Sequence, residues 1–191
     1  MNPSFPTAGS NGGTPFSQAT GREYAMDNNR VASFEPVVWA DSRVLILGTV
    51  PSPKSREEHI NYGNPRNRFW PVIAGLWDER DPKTREGRYE LLQRHHLALW
   101  DVLESCTIRG ASDSSISDPI PNDIGRVLEI APITSIFTTG ATATRLYRRL
   151  CEPVCLRPCT GLPSTSPANA AWSYARLLEA YAPIREAAEN S

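Results

Sequence analysis

The chain has 191 residues, 40% of them hydrophobic and 21% charged, with a net charge of −1. That is enough for one domain with a core, and too apolar for disorder throughout, while near-neutral charge selects no partner class. No apolar run approaches the ~20 residues that span a bilayer, and the N-terminus lacks the basic-then-apolar pattern of a secretory signal; a cytoplasmic protein without membrane contact is expected.

Residues 1–30, rich in Gly, Ser, Asn, Thr and Pro, read as a disordered tail, and 31–191 as one domain without linker or repeat. Residues 43–48 form a short continuous apolar run ending in Gly48, the pattern of a buried parallel strand. A helix over 68–77 follows from the stripe Phe69, Val72, Ile73 and Leu76, with Pro71 confined to its first turn. Another helix covers 84–95, and 97–100 is the second strand. After a polar loop, Asn122 or Asp123 caps a helix running to Ile130. Residues 134–139, rich in β-branched side chains, are the third strand. A helix over 141–150 precedes a weaker fourth strand at 153–156. A last amphipathic helix over 168–181 carries Trp172, Leu177, Leu178 and Tyr181 as anchors.

Strand followed by helix, four times, implies an α/β three-layer sandwich: a four-stranded parallel sheet flanked by helices. Sites on such sheets lie beyond the carboxyl ends of the strands. That rule selects residues 48–67, 100–122 and 161–169.

In the first of these segments, Gly48 and Pro51 make a rigid turn after the strand. Tyr62 supplies a flat face for a base, and Asn67 offers both a donor and an acceptor, flanked by Arg66 and Arg68 as candidate phosphate ligands. In the last segment, Pro163 and Pro167 bracket Ser164, Thr165 and Ser166 just before a helix. Thr165 or Ser166 can cap that helix, and its loop can pinch a DNA backbone.

Basic residues are gathered locally, as phosphate binding requires: Arg43, Lys54, Arg56, Arg66 and Arg68 against Glu57 and Glu58, and a second group of Arg145, Arg148 and Arg149. Solvated surface charge accounts equally well for either group alone. Cys151, Cys155 and Cys159 stand at intervals of four, with Cys106 apart. They form no CxxC pair and have no histidine nearby, so reduced thiols are expected, with no metal and no cofactor.

Taken together, Leu47-Gly48-Thr49-Val50-Pro51-Ser52, Tyr62-Gly63-Asn64-Pro65-Arg66-Asn67-Arg68-Phe69-Trp70 and Pro163-Ser164-Thr165-Ser166-Pro167-Ala168 resemble motifs of the uracil-DNA glycosylase superfamily. The resemblance is greatest to its hypoxanthine-DNA glycosylase branch and covers roughly residues 34–183. It implies that Asn67 is the main catalytic side chain and that Tyr62 stacks on the flipped base. It further implies that Gly48, Thr49, Val50, Pro51 and Ser52 form the base-pocket floor and backbone donors. Ser164, Thr165, Ser166 and Pro167 would compress the DNA strand, and Trp100 or Asp101 would read the base edge. Ser52 and Asn64 depart from the Gly and His common among relatives. Val50 replaces the Asp or Asn of the uracil and mismatch enzymes, whose late histidine is also missing; the histidines here are His59, His95 and His96.

The activity so implied is flipping of a deaminated base, hypoxanthine foremost, out of double-stranded DNA and hydrolysis of its glycosidic bond, by a monomer that leaves an abasic site. Flipping is cheapest at a weak pair, which favours damage. Uracil or G/U mismatch cleavage is the alternative activity, and a catalytically silent nucleic-acid binding module the alternative class. A small-molecule α/β hydrolase would need a nucleophile elbow and Ser-His-Asp order, which the chain lacks.

Overall fold

A computed structural model describes residues 29–109 and 115–190, so most of the expected N-terminal tail lies outside the described residues. The central sheet has the order β3-β2-β6-β7, all parallel, from β2 (Val44–Gly48), β3 (Leu97–Asp101), β6 (Ser135–Thr139) and β7 (Thr160–Leu162). Strand β2 is central and buried along its whole length, which is why it reads as an unbroken apolar run.

Alternation along these strands divides the core in two. Val44, Ile46, Leu97 and Leu99 face α2 (Phe69–Gly75), α3 (Arg85–Arg94) and α7 (Tyr174–Glu189). Leu45, Leu47, Ala98 and Trp100 face α4 (Gly125–Ile130) and α5 (Ala141–Leu150). The expected three-layer α/β sandwich with a four-stranded parallel sheet is what forms.

Three elements differ from the sequence reading. Residues 153–156 are not the fourth strand: they lie in the short helix α6 (Glu152–Cys155), with Pro153 in its first turn and Leu156 ending it in the left-handed conformation. The fourth strand is β7 instead, and Gly161 within it leaves room for Thr144 of α5, whose Oγ1 is 2.8 Å from where a Cβ would stand.

The polar loop after β3 contains β4 (Leu103–Thr107) and β5 (Ser117–Pro121), which join β1 (Arg30–Ala32) in an antiparallel sheet of order β1-β4-β5. Two prolines and two register shifts obscure β5 as a strand, and it lies at the edge, where proline is tolerated. The small sheet sends Leu103 and Cys106 into the second core. At α4, Asp123 Oδ1 does accept from the Gly125 N–H at 3.0 Å, whereas Asn122 is buried and donates to the Asp101 carbonyl at 2.9 Å.

The last helix begins at Tyr174, six residues later than expected. Its cap is Ser173, which accepts from the Arg176 N–H, and neither Thr165 nor Ser166 caps it. Leu177 and Tyr181 are buried as anchors, while Trp172 and Leu178 pack partly buried against the same core. Ser173→Ala should therefore lower unfolding stability by about 1 kcal/mol. Ser166→Ala should stay within about 0.5 kcal/mol of wild type. Urea unfolding of both variants checks the assignment.

Candidate active site

A cleft of about 470 Å³ opens above the carboxyl ends of β2, β3 and β6. It is lined by Gly48 to Ser52, Tyr62, Asn67, Asp101 and Ser164 to Ser166, so parts of all three selected segments meet there. Asn61, Ser55, Thr139, Ala168 and Asn169, which the sequence reading did not single out, complete the lining.

The floor is set by strand register. Gly48 and Asp101 are neighbours across β2 and β3. A Cβ on Gly48 would stand 2.6 Å from Asp101 Oδ1 and 3.1 Å from the Tyr62 hydroxyl, so a side chain here would occupy the space those groups use. Asp101 is 3% exposed, and its Oδ2 accepts from Asn61 Nδ2 at 3.2 Å. Burial pushes its carboxyl up to about 7, and the single Asn61 hydrogen bond opposes that shift only in part.

Trp100 goes the other way. Alternation along β3 turns it into the second core, where its Nε1 donates to the Phe34 carbonyl at 2.7 Å. Of the two candidates for the base edge, only Asp101 faces the cleft. Among the described residues, no other member of the second segment lines it, and β4 and β5 lead away into the small sheet.

Tyr62 has left-handed backbone, φ 56°, which is costly for a residue other than glycine. Two contacts hold it there. Its ring stacks on Phe69 with centroids 3.8 Å apart, and its hydroxyl lies 2.6 Å from Thr139 Oγ1. One face of the ring is thus occupied by Phe69.

Asn67 sits just before α2 and accepts from the Phe69 N–H through Oδ1 at 2.9 Å. Its acceptor end is committed to starting the helix, and its Nδ2 has no hydrogen-bond partner among the described residues. Nδ2 is thus the end of the amide with donors to spare.

Ser52 caps the short helix α1 (Pro53–Glu57), accepting from the Ser55 N–H at 3.2 Å. Asn64 likewise holds the backbone, with Oδ1 accepting from the Arg66 N–H at 2.9 Å. Both departures from the family pattern therefore have local structural work.

Arg66 is exposed. Arg68 is not extended toward solvent: its guanidinium donates to the carbonyls of Ser166 at 2.8 Å, Asn169 at 3.0 Å, Thr165 at 3.4 Å, and Trp172. Its backbone N–H also donates to the Thr165 carbonyl at 3.1 Å. The late loop is further tied by Tyr181, whose hydroxyl donates to the Pro163 carbonyl at 2.8 Å, and by Asn169 Nδ2 on the Ser164 carbonyl at 2.8 Å. Thr165 is buried, and Pro167 is exposed outside the cleft lining.

Of the residues overlooked, Thr139 was reachable, since it ends the third strand and the carboxyl-end rule applies to it as it does to Gly48. Asn61 gave only the weak sign of a polar residue beside Ile60 in an otherwise solvent-like stretch.

Among the described residues, no group of three or more His, Cys, Asp or Glu is placed to hold a metal ion. The four cysteines are not cross-linked, and no described helix is long and apolar enough to cross a membrane.

A parallel α/β sandwich with a polar, partly buried cleft over its strand ends is an architecture for binding a small planar ligand through loops. The family model for the uracil DNA glycosylase superfamily matches residues 36–187. The chain belongs to that superfamily. It is 29% identical over 147 residues to a hypoxanthine DNA glycosylase from Methanosarcina acetivorans, covering 76% of this chain and 92% of that protein. A hypoxanthine DNA glycosylase from Methanosarcina barkeri is 31% identical over 100 residues, 52% of this chain and 63% of the other. The fold matches a solution NMR structure from Methanosarcina acetivorans of a protein provisionally described as a uracil DNA glycosylase. The TM-score is 0.72 at 29% identity, covering 83% of this chain and 98% of that one.

The raised carboxyl gives a signed stability test. Because the folded pKa of Asp101 lies near 7, well above its unfolded value, its contribution is fully present below about pH 4 and is lost as pH rises to about 7. Asp101→Asn should flatten that fall and be the more stable protein above pH 7, as measured by urea unfolding across pH 4–8.

Proposed function

We propose that this protein is a monofunctional DNA glycosylase that takes a deaminated base, hypoxanthine foremost, into the cleft and hydrolyses its glycosidic bond. The observation that carries the reading is the convergence of Asn67, Tyr62 and Asp101 on one cleft in a member of this superfamily. Hypoxanthine is favoured because two similar proteins bear that activity in their names.

The chemistry follows from which atoms are already committed. Breaking the bond leaves a cationic sugar and a departing base that gathers negative charge. Asn67 Oδ1 already accepts from the Phe69 N–H, and Nδ2 acts on the base as a hydrogen-bond donor whose value grows as that charge develops. Tyr62 lines the cleft and, with its ring stacked on Phe69, serves as the stacking surface for the base.

Asp101 selects the base. Asn61 donates to Oδ2 and so keeps that oxygen an acceptor, which leaves a carboxyl proton on Oδ1. Oδ1–H is then a donor, the role a buried carboxylic acid can take when burial raises its pKa toward neutrality. Deamination replaces an exocyclic amine, a donor, with a keto oxygen, an acceptor. A protonated Asp101 meets the keto group and confronts the undamaged base with donor against donor.

Uracil is the second reading, favoured by the same logic, since it too carries a keto oxygen in place of an amine. Labelled duplexes containing hypoxanthine, uracil or xanthine, incubated with the protein and then treated with alkali, decide between them. Strand cleavage at hypoxanthine is the expected result; none on any substrate would leave a binding module.

Asn67→Ala should slow single-turnover base release by about 10²–10³-fold. Its stability should fall by only about 1 kcal/mol from the lost start of α2, and affinity for an uncleavable duplex should persist. Release within a few-fold of wild type would remove Asn67 from the chemistry.

Base release should also fall as pH rises through about 7, when Asp101 ionises and loses its donor. Asp101→Asn can keep oxygen toward Asn61 and nitrogen toward the base, so its profile should be flat across that range. A wild-type profile without the inflection would exclude the selection role.

A further inference from the structure

Helix α5 has two faces. Ala143, Leu146 and Tyr147 are buried in the second core. Ala141, Thr144, Arg145, Arg148 and Arg149, at the i, i+3, i+4, i+7, i+8 spacing of one stripe, line an open groove of about 1160 Å³. The groove is continuous with the cleft, because Ser164 and Asn169 line both. Its far wall is Leu162, Pro163 and Trp172, and the Arg176 guanidinium lies 4.6 Å over the Trp172 ring.

The charge of this groove is unopposed. Its three α5 arginines are exposed, and none takes part in an ion pair among the described residues, although Arg148 contacts the Cys159 thiol. In a chain with net charge −1, three uncompensated cations on one helical stripe are a local field, not a reflection of composition. An apolar wall opposite a row of guanidiniums suits a sugar–phosphate strand, with deoxyribose against Leu162 and Pro163 and phosphates on the arginines.

We propose that this groove holds the flank of the lesion-bearing DNA strand on one side of the flipped nucleotide, with Arg145, Arg148 and Arg149 as its phosphate ligands. The inference rests on the DNA-glycosylase reading of the cleft and adds the path of the strand. The fixed loop that carries Ser164 and Asn169 is the divide between the nucleotide in the cleft and its neighbours in the groove.

The test uses the whole chain and a duplex carrying an uncleavable abasic-site analogue, with affinity read by fluorescence anisotropy at 50 and 200 mM salt. Each phosphate contact makes binding fall about 3.5-fold over that fourfold change in salt. In the Arg145→Ala/Arg149→Ala variant the salt-induced fall should therefore be about 12-fold smaller than in wild type. Alanine favours helix, so α5 should persist, and thermal melts should confirm it. Neither arginine lines the cleft, so base release should fall in step with the lost DNA affinity. Duplexes shortened on one side of the lesion or the other locate the contact: one truncation alone should abolish the difference between wild type and variant. A variant with wild-type salt dependence, or a difference that survives both truncations, would overturn the groove assignment while leaving the cleft reading intact. A wild-type protein that neither binds DNA nor releases any base would overturn both.

Discussion

The cleft depends on one side chain reaching across about half the length of the sequence. Arg68, at the start of α2, places its guanidinium among carbonyls of Thr165, Ser166, Asn169 and Trp172. Hydrogen bonds from a charged donor are each worth about 1.5–3 kcal/mol, and the carbonyls they satisfy would otherwise be difficult to pair in an irregular loop. The arrangement joins the first site segment to the last, about 100 residues later, with little help from secondary structure. Asn67, Arg68 and Phe69 are consecutive: one lines the cleft, the next holds its opposite lip, and the third supports the stacking tyrosine. Moving any one disturbs the other two.

A second constraint comes from the period of the strands. Leu97, Leu99 and Asp101 share one face of β3, and Ala98 and Trp100 the other. The same alternation that buries Trp100 in the far core places a carboxyl at the end of the near face, opposite Gly48. Enclosure by the sheet, Asn61 and Tyr62 then removes water from the carboxyl and raises its proton affinity. The raised proton affinity of the cleft is thus a product of packing, present before any ligand arrives.

Much of this was legible in the sequence because the central sheet is buried on both sides. Val44 to Leu47 had to be apolar without interruption, and Ile136 to Thr139 are all β-branched or aromatic, so both strands announced themselves. The antiparallel sheet did not, since β5 alternates poorly and carries Pro119 and Pro121. Residues 153–156 read as a strand from their apolar side chains, but Pro153 serves as a helix start, while the true strand, Thr160–Leu162, is three residues long and polar at its beginning. In the site, Asn67 and Tyr62 stood out by side-chain chemistry. Asn61 and Thr139 did not, because their part is to hold Asp101 and Tyr62, and such pairings exist only once the chain is folded. Arg68 shows the same limit: an arginine beside a candidate catalytic residue suggests phosphate, and only the fold reveals that its donors are taken.

The lip held by Arg68 has an evolutionary consequence. A guanidinium bonded to main-chain carbonyls is indifferent to the side chains those carbonyls carry. Apart from buried Thr165, Asn169, whose amide ties the Ser164 carbonyl, and Ser164 and Ser166, whose hydroxyls accept from the Ser166 and Ala168 N–H groups, positions in this loop can exchange residues while the curve of the chain persists. Length is another matter, since an added or deleted residue would carry the carbonyls past donors whose spacing is set by a rigid planar fork. The lip is therefore open to substitution and closed to insertion, so members of such a lineage can diverge in what they touch without diverging in shape.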